Sequence, residues 1–159
     1  MTSTLAVHYS TGKDDWATPP DLFAALDAEF GFTLDVAANS SNTKCGLWLG
    51  PDSVLADDAL DYYWPRLHTC WCNPPYSRGL QAKFIAKAAE EQQWRGVTTV
   101  MLLPARTDTK AFHQYVWDVA KHQPREGVEV RFLKGRLKFV GAKHGAPFPS
   151  MVVVFRGKA

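Results

Sequence analysis

Leu22, Phe23, Leu26 and Phe30 recur at helical spacing behind the proline pair Pro19-Pro20, and Gly31 stands where that helix should stop. Phe32 to Val36 then predicts a short strand, followed by an Asn/Ser-rich loop at 39–42. From there to Pro65 the pattern is irregular and predicts no element. Thr69 to Cys72 predicts a strand that runs directly into Asn73-Pro74-Pro75-Tyr76. A helix is expected from about Leu80 to Trp94, with Phe84, Ile85, Ala88 and Ala89 on one side. Val97 to Leu103 is almost wholly apolar, as in the buried centre of a parallel sheet. A second helix is expected from Thr109 to about Lys121, then strands over Val128–Leu133 and Met151–Phe155. Strands alternating with helices predict an α/β, doubly wound, mostly parallel sheet with helices on both faces. Ligands of such sheets lie beyond the carboxyl ends of the strands.

The chain has 159 residues, with 46% hydrophobic and 13% aromatic content, which excludes an intrinsically disordered chain. It is expected to form one domain over 1–159, with residues 1–13 a flexible lead-in and no separate target-recognition domain. Three cysteines, at 45, 70 and 72, are too few for a disulfide framework. No apolar run approaches the ~20 residues of a membrane span, and the opening residues have no signal pattern. The expected location is therefore a reducing cytoplasm, with no membrane partner. The net charge of +2 conceals an asymmetry. Residues 1–78 hold four Lys/Arg against ten acids, a net −6, whereas 79–159 hold fourteen against six, a net +8. The basic half suits a polyanion, and equally an ordinary solvated surface.

The tetrapeptide carries the candidate chemistry. Asn73 precedes a proline and is held extended. Pro74 and Pro75 have fixed φ and no N–H, so the loop is stiff and rich in acceptors. A planar amino nitrogen is a poor nucleophile because its lone pair is delocalised. The Asn73 side-chain oxygen and the Pro74 carbonyl can each accept one of its N–H bonds, favouring the pyramidal form that attacks. Tyr76 offers a flat face for stacking a base, worth about 1–3 kcal/mol where it occurs, and a base must leave the duplex to be reached. The same four residues also make a plain rigid turn. As chemistry they specify an amide-like or aromatic amine, leaving adenine, cytosine, guanine and glutamine open.

Other candidate residues have plainer readings beside the chemical one. Cys70 and Cys72 face the same way on a strand but lack the spacing and partners of structural zinc. Buried thiols are the expectation, and no metal site is predicted. Lys134, Arg136 and Lys138 alternate with Leu133, Gly135, Leu137 and Phe139, so extended geometry would align three cations as a phosphate track or a charged strand edge. Arg106, with Lys110, follows the central apolar strand and is a further candidate for contact with DNA.

The ordered set of segments resembles a known family. Its parts are Trp16-Ala-Thr-Pro-Pro with Leu22-Phe23, Leu34-Asp35-Val-Ala-Ala, Asn42-Thr-Lys-Cys45, Asp58-Ala-Leu60 with Trp64, and Cys72-Asn-Pro-Pro-Tyr76. Leu102-Leu-Pro-Ala-Arg106-Thr-Asp-Thr109, Gly135-Arg-Leu-Lys-Phe139 and Ala146-Pro-Phe-Pro-Ser150 complete it. Together they are similar to the phage and prophage DNA N-6-adenine-methyltransferases of Dam type, which use S-adenosylmethionine. The resemblance implies a Rossmann-like methyltransferase sheet, adenine-specific DNA methylation and a bacterial host cytoplasm. It implies Asn73, Pro74 and Tyr76 as catalytic residues. Thr18 and Pro19 would touch the cofactor's methionine part, Asp35 would receive its ammonium group, and Asp58 (or Asp57) would lie near the adenosine. One departure is visible: related enzymes follow the first strand with a glycine-rich turn, whereas Asp35-Val-Ala-Ala-Asn39-Ser-Ser-Asn42 has no glycine. Methylation of glutamine in a protein, and a non-catalytic DNA-binding protein that keeps the fold, are the alternative readings.

Overall fold

A computed structural model describes residues 16–77 and 79–158; the expected lead-in at 1–13 lies outside them. Helix α1 (Pro20–Phe30) starts on the proline pair and ends at Gly31, whose φ of +69° is the left-handed cap expected there. Strand β1 (Leu34–Asp35) and an edge strand β2 (Leu47–Trp48) follow, then β3 (Thr69–Cys72) and helix α2 (Leu80–Arg95). Strand β4 (Thr98–Pro104) crosses the centre of the molecule. The chain closes with short strands β5 (Trp117–Asp118) and β6 (Gln123–Pro124), then β7 (Val128–Phe132) and β8 (Ser150–Phe155).

Six strands form one sheet in the order β2-β1-β3-β4-β8-β7, while β5 and β6 pair separately. The β2, β1, β3 and β4 pairings are parallel; β8 runs antiparallel to both β4 and β7. The architecture is thus α/β with a largely parallel sheet, whose apolar last strand β8 is reversed.

Period-two alternation divides the core between the two faces. Cys70 and Cys72 of β3, Met101 and Leu103 of β4, and Met151, Val153 and Phe155 of β8 pack with Phe84, Ile85 and Ala88 of α2. Trp71, Val100, Leu102, Val152 and Val154 face the other way and pack with Leu26 of α1. Helices therefore cover both faces, as expected. The two thiols are buried, and burial raises both pKa values. Between β2 and β3 the irregular chain is pinned to α2: the Trp64 amide donates to the buried Glu91 carboxylate, which also pairs with Lys87 and Arg95.

Two sequence expectations are corrected. The helix expected over Thr109–Lys121 is only a short π-helical segment at Phe112–Val116, after which the chain extends into β5. Phe112 and Val116 are buried there, and Trp117 leaves the helix with extended backbone to pair with Pro124. The cation-bearing segment 133–139 is not a strand, because the chain turns at Gly135 (φ +75°). Among the described residues no helix is long and apolar enough to cross a membrane.

Candidate active site

The connection from β1 runs outward to β2, whereas that from β3 runs through α2 to β4 on the other side. The strand order reverses between β1 and β3, and a crevice opens at their carboxyl ends. Asp35 closes β1, and Asn73 follows β3 directly. Both line one cavity of about 260 Å³, with Trp71 and Pro75 beside them.

Its roof is the segment before α1. The Asn73 Nδ2 donates to the Trp16 carbonyl at 2.5 Å and to the Thr18 hydroxyl at 3.0 Å. A carbonyl only accepts, so this end of the amide is its NH₂ group. The Oδ1 is consequently directed elsewhere, and it is buried with no hydrogen-bond partner among the described residues. Such an orphaned acceptor is costly in a folded chain, by about 1–3 kcal/mol. The roof is held at a second point, where the Val140 amide donates to the Ala17 carbonyl at 3.1 Å.

Asp35 supplies the opposite end. Its carboxylate accepts the Ala37 amide at 3.2 Å and the Lys44 amide at 3.0 Å. Burial drives its pKa up to about 6, and these two amides together with the Lys44 charge only partly offset that rise. No ion pair neutralises it among the described residues. A buried carboxylate in this condition is a receptor for a cation.

The turn after β1 closes without glycine. The Asn39 amide donates to the Asn42 side chain at 2.8 Å, and the Asn39 side chain accepts the amides of Ser41 and Asn42. These side-chain bonds fold the loop in place of a glycine turn. The close backbone approach is supplied from β2's side. Gly50 has φ +142°, and a Cβ there would lie 1.8 Å from the Ala38 carbonyl oxygen.

Tyr76 is set deeper than a stacking platform requires. It is buried, and its hydroxyl donates to the Leu102 carbonyl at 3.0 Å. The Trp16 indole lies nearly parallel to its ring (6.4 Å between centroids, 21° between planes), with Phe139 and Phe148 packed edgewise.

Thr18, Asp35 and Asn73, three of the residues singled out in the sequence, thus come together around one cavity. Pro19 and Pro74 flank it without lining it; Pro19 starts α1, its carbonyl accepting the Phe23 amide. Asp58 does not line it either: its carboxylate accepts the Leu60 amide in a turn. Arg106, Lys134, Arg136 and Lys138 are all exposed outside the cavity, with the Arg106 guanidinium 5.8 Å from the centre of the Phe148 ring. Sequence reasoning gave no role to Trp16, Lys44 or Val140, which also line the site.

A family model for DNA N-6-adenine-methyltransferase (Dam) matches residues 6–157. The chain belongs to the Dam family. A comparison with curated proteins gives no match. Dam membership brings with it DNA adenine methylation, broadly stated, and DNA as the substrate class. The match spans both strand ends, the roof and the basic segment, so the cavity lies inside the Dam homology.

Proposed function

We propose that this Dam-family chain transfers a methyl group from S-adenosylmethionine to the N6 amine of adenine in DNA, with the cavity between β1 and β3 as its active site. The observation that carries this is the pairing of an orphaned acceptor, Asn73 Oδ1, with an un-neutralised buried carboxylate, Asp35. We read the sheet as the Rossmann-like methyltransferase arrangement; the reversal of strand order between β1 and β3 supports that reading.

The residues fit the proposed cofactor. Asp35 would hold its ammonium group, and Thr18 would border its amino-acid part. When bound, it supplies a methyl group already activated on a sulfonium centre. Asn73 Oδ1 accepts one N–H of the target amine, and the Pro74 carbonyl is the second acceptor in this reading. Two acceptors draw the lone pair out of conjugation and aim it along the transfer axis, stabilisation that grows toward the transition state. The Asn73 Nδ2, fixed by the Trp16 carbonyl and the Thr18 hydroxyl, keeps the acceptor from rotating away. Tyr76 is the stacking platform the sequence suggested, and a base could reach its ring only if the Trp16 indole swung aside while the Trp16 backbone kept its bond to Asn73. Lys134, Arg136, Lys138 and Arg106 contact the phosphate backbone.

The experiment is incubation of purified protein with methyl-tritiated S-adenosylmethionine and either DNA or a protein extract. Label should enter DNA and be recovered as N6-methyladenine after digestion. Label confined to the protein extract, or recovered as another base, would overturn the proposal.

A further inference from the structure

We propose that Lys44 is the counter-ion for the carboxylate of the ligand whose ammonium group meets Asp35, making this end of the cavity a subsite for an α-amino acid group; the inference rests on the function proposed above. Among the residues that line the cavity Asp35 is the only acid and Lys44 the only Lys or Arg. The two are tied through the backbone, the Lys44 amide donating to Asp35 Oδ2 at 3.0 Å. Their side chains nevertheless form no ion pair; the Lys44 ammonium lies 5.9 Å from the centre of the Phe23 ring. One peg therefore fixes the spacing of two opposite charges at one end of the cavity, and among the described residues neither side chain closes an ion pair.

An α-amino acid carries its own opposite charges on a single carbon, so it can satisfy both at once. The neutral residues between them favour the same ligand. Thr43 is engaged internally, its hydroxyl bonded to the Cys45 carbonyl and amide. The Asn42 side-chain nitrogen and the Ser41 hydroxyl carry no such internal bond among the described residues, and both residues line the cavity. They are donors beside the position assigned to the carboxylate. A volume of about 260 Å³ is at the lower edge of small-molecule sites, which run to about 300–1,000 Å³. It suits the amino-acid end of a larger ligand. Lys44 would also oppose a ligand that lacks the carboxylate and so carries only positive charge.

The test is calorimetric and needs no turnover. Wild-type protein, Lys44→Met and Lys44→Arg are titrated at low salt with S-adenosylhomocysteine and with its decarboxylated analogue. Lys44→Met keeps the backbone amide that holds Asp35. Wild type should prefer S-adenosylhomocysteine, and Lys44→Met should lose roughly 10-fold or more in affinity for it. Affinity for the analogue should not fall by more than about 2-fold and should rise if the Lys44 charge repels it, and Lys44→Arg should restore much of the loss toward S-adenosylhomocysteine. Equal weakening toward both ligands, or no change toward either, overturns the assignment of Lys44 alone. Failure of wild type to bind either ligand overturns the proposed function and this assignment together.

Discussion

Replacing Asp35 by Asn removes a charge that the fold holds at a cost, and the cost is visible as a pH dependence of stability. Burial raises the Asp35 pKa from 3.8 to about 6. The folded chain therefore binds this proton more tightly than the unfolded chain. The resulting stabilisation is fully present below the unfolded value and is lost as pH rises through about 6. Two pKa units at about 1.4 kcal/mol each give roughly 3 kcal/mol over the whole range. Of this, about 1.4 kcal/mol falls between pH ~5 and pH ~7.5. In Asp35→Asn that component is absent, although one of the amides of Ala37 and Lys44 loses its acceptor at every pH. Urea unfolding of both proteins at the two pH values measures the difference of differences, in which every other titrating group cancels. Wild type should lose about 1.4 kcal/mol more than the variant on going to the higher pH. Parallel profiles would refute the claim that burial raises the Asp35 pKa in the folded chain. The same variant should bind S-adenosylmethionine far more weakly.

Three further outcomes are expected. Gly50→Ala should destabilise the protein by about 3 kcal/mol or more in thermal or urea unfolding, because its methyl group would overlap the Ala38 carbonyl; a change under about 0.5 kcal/mol would show that the loop after β1 can shift. Asn73→Ala should abolish methyl transfer to DNA while changing stability by less than about 1 kcal/mol, since the two bonds lost to the roof are offset by removal of the orphaned acceptor; wild-type turnover would remove Asn73 from the mechanism. Neutralising Lys134, Arg136 and Lys138 together should reduce the slope of log affinity for DNA against log salt by about 1 per lost phosphate contact, and an unchanged slope in filter binding would place the DNA elsewhere.

The legible parts of the sequence were those where a local rule and the tertiary context agree. Helix α1 is announced by Pro19-Pro20, by Leu22, Phe23, Leu26 and Phe30, and by Gly31. Strand β4 is announced by an apolar run too short for a helix with those flanks. The direction of β8 was not legible, because a strand buried on both faces has the same composition whichever way it runs. Strand β2 escaped notice because two partly exposed residues carry no periodicity. The segment from Thr109 to about Lys121 gave the expectation of a helix, but Trp117 leaves the helical backbone to pair with Pro124. Of the residues around the cavity, the sequence pointed to Asp35, Asn73 and Thr18 but not to Lys44, whose place there depends on a bond from its backbone amide to a side chain nine residues back. Trp16 stood in a recognised segment beside Thr18, yet nothing local reveals that its ring lies over Tyr76.

Asn73 is tied to the roof by one end of its amide, and in the proposed mechanism the other end grips the substrate amine. The residues upstream of α1 and the loop after β3 are therefore bound to a common fate. Drift in the backbone at Trp16 rotates the acceptor, and drift at position 73 unseats the roof. Homologues should vary these two stretches in concert, and grafting either one alone between relatives should yield folded proteins with misaligned active sites.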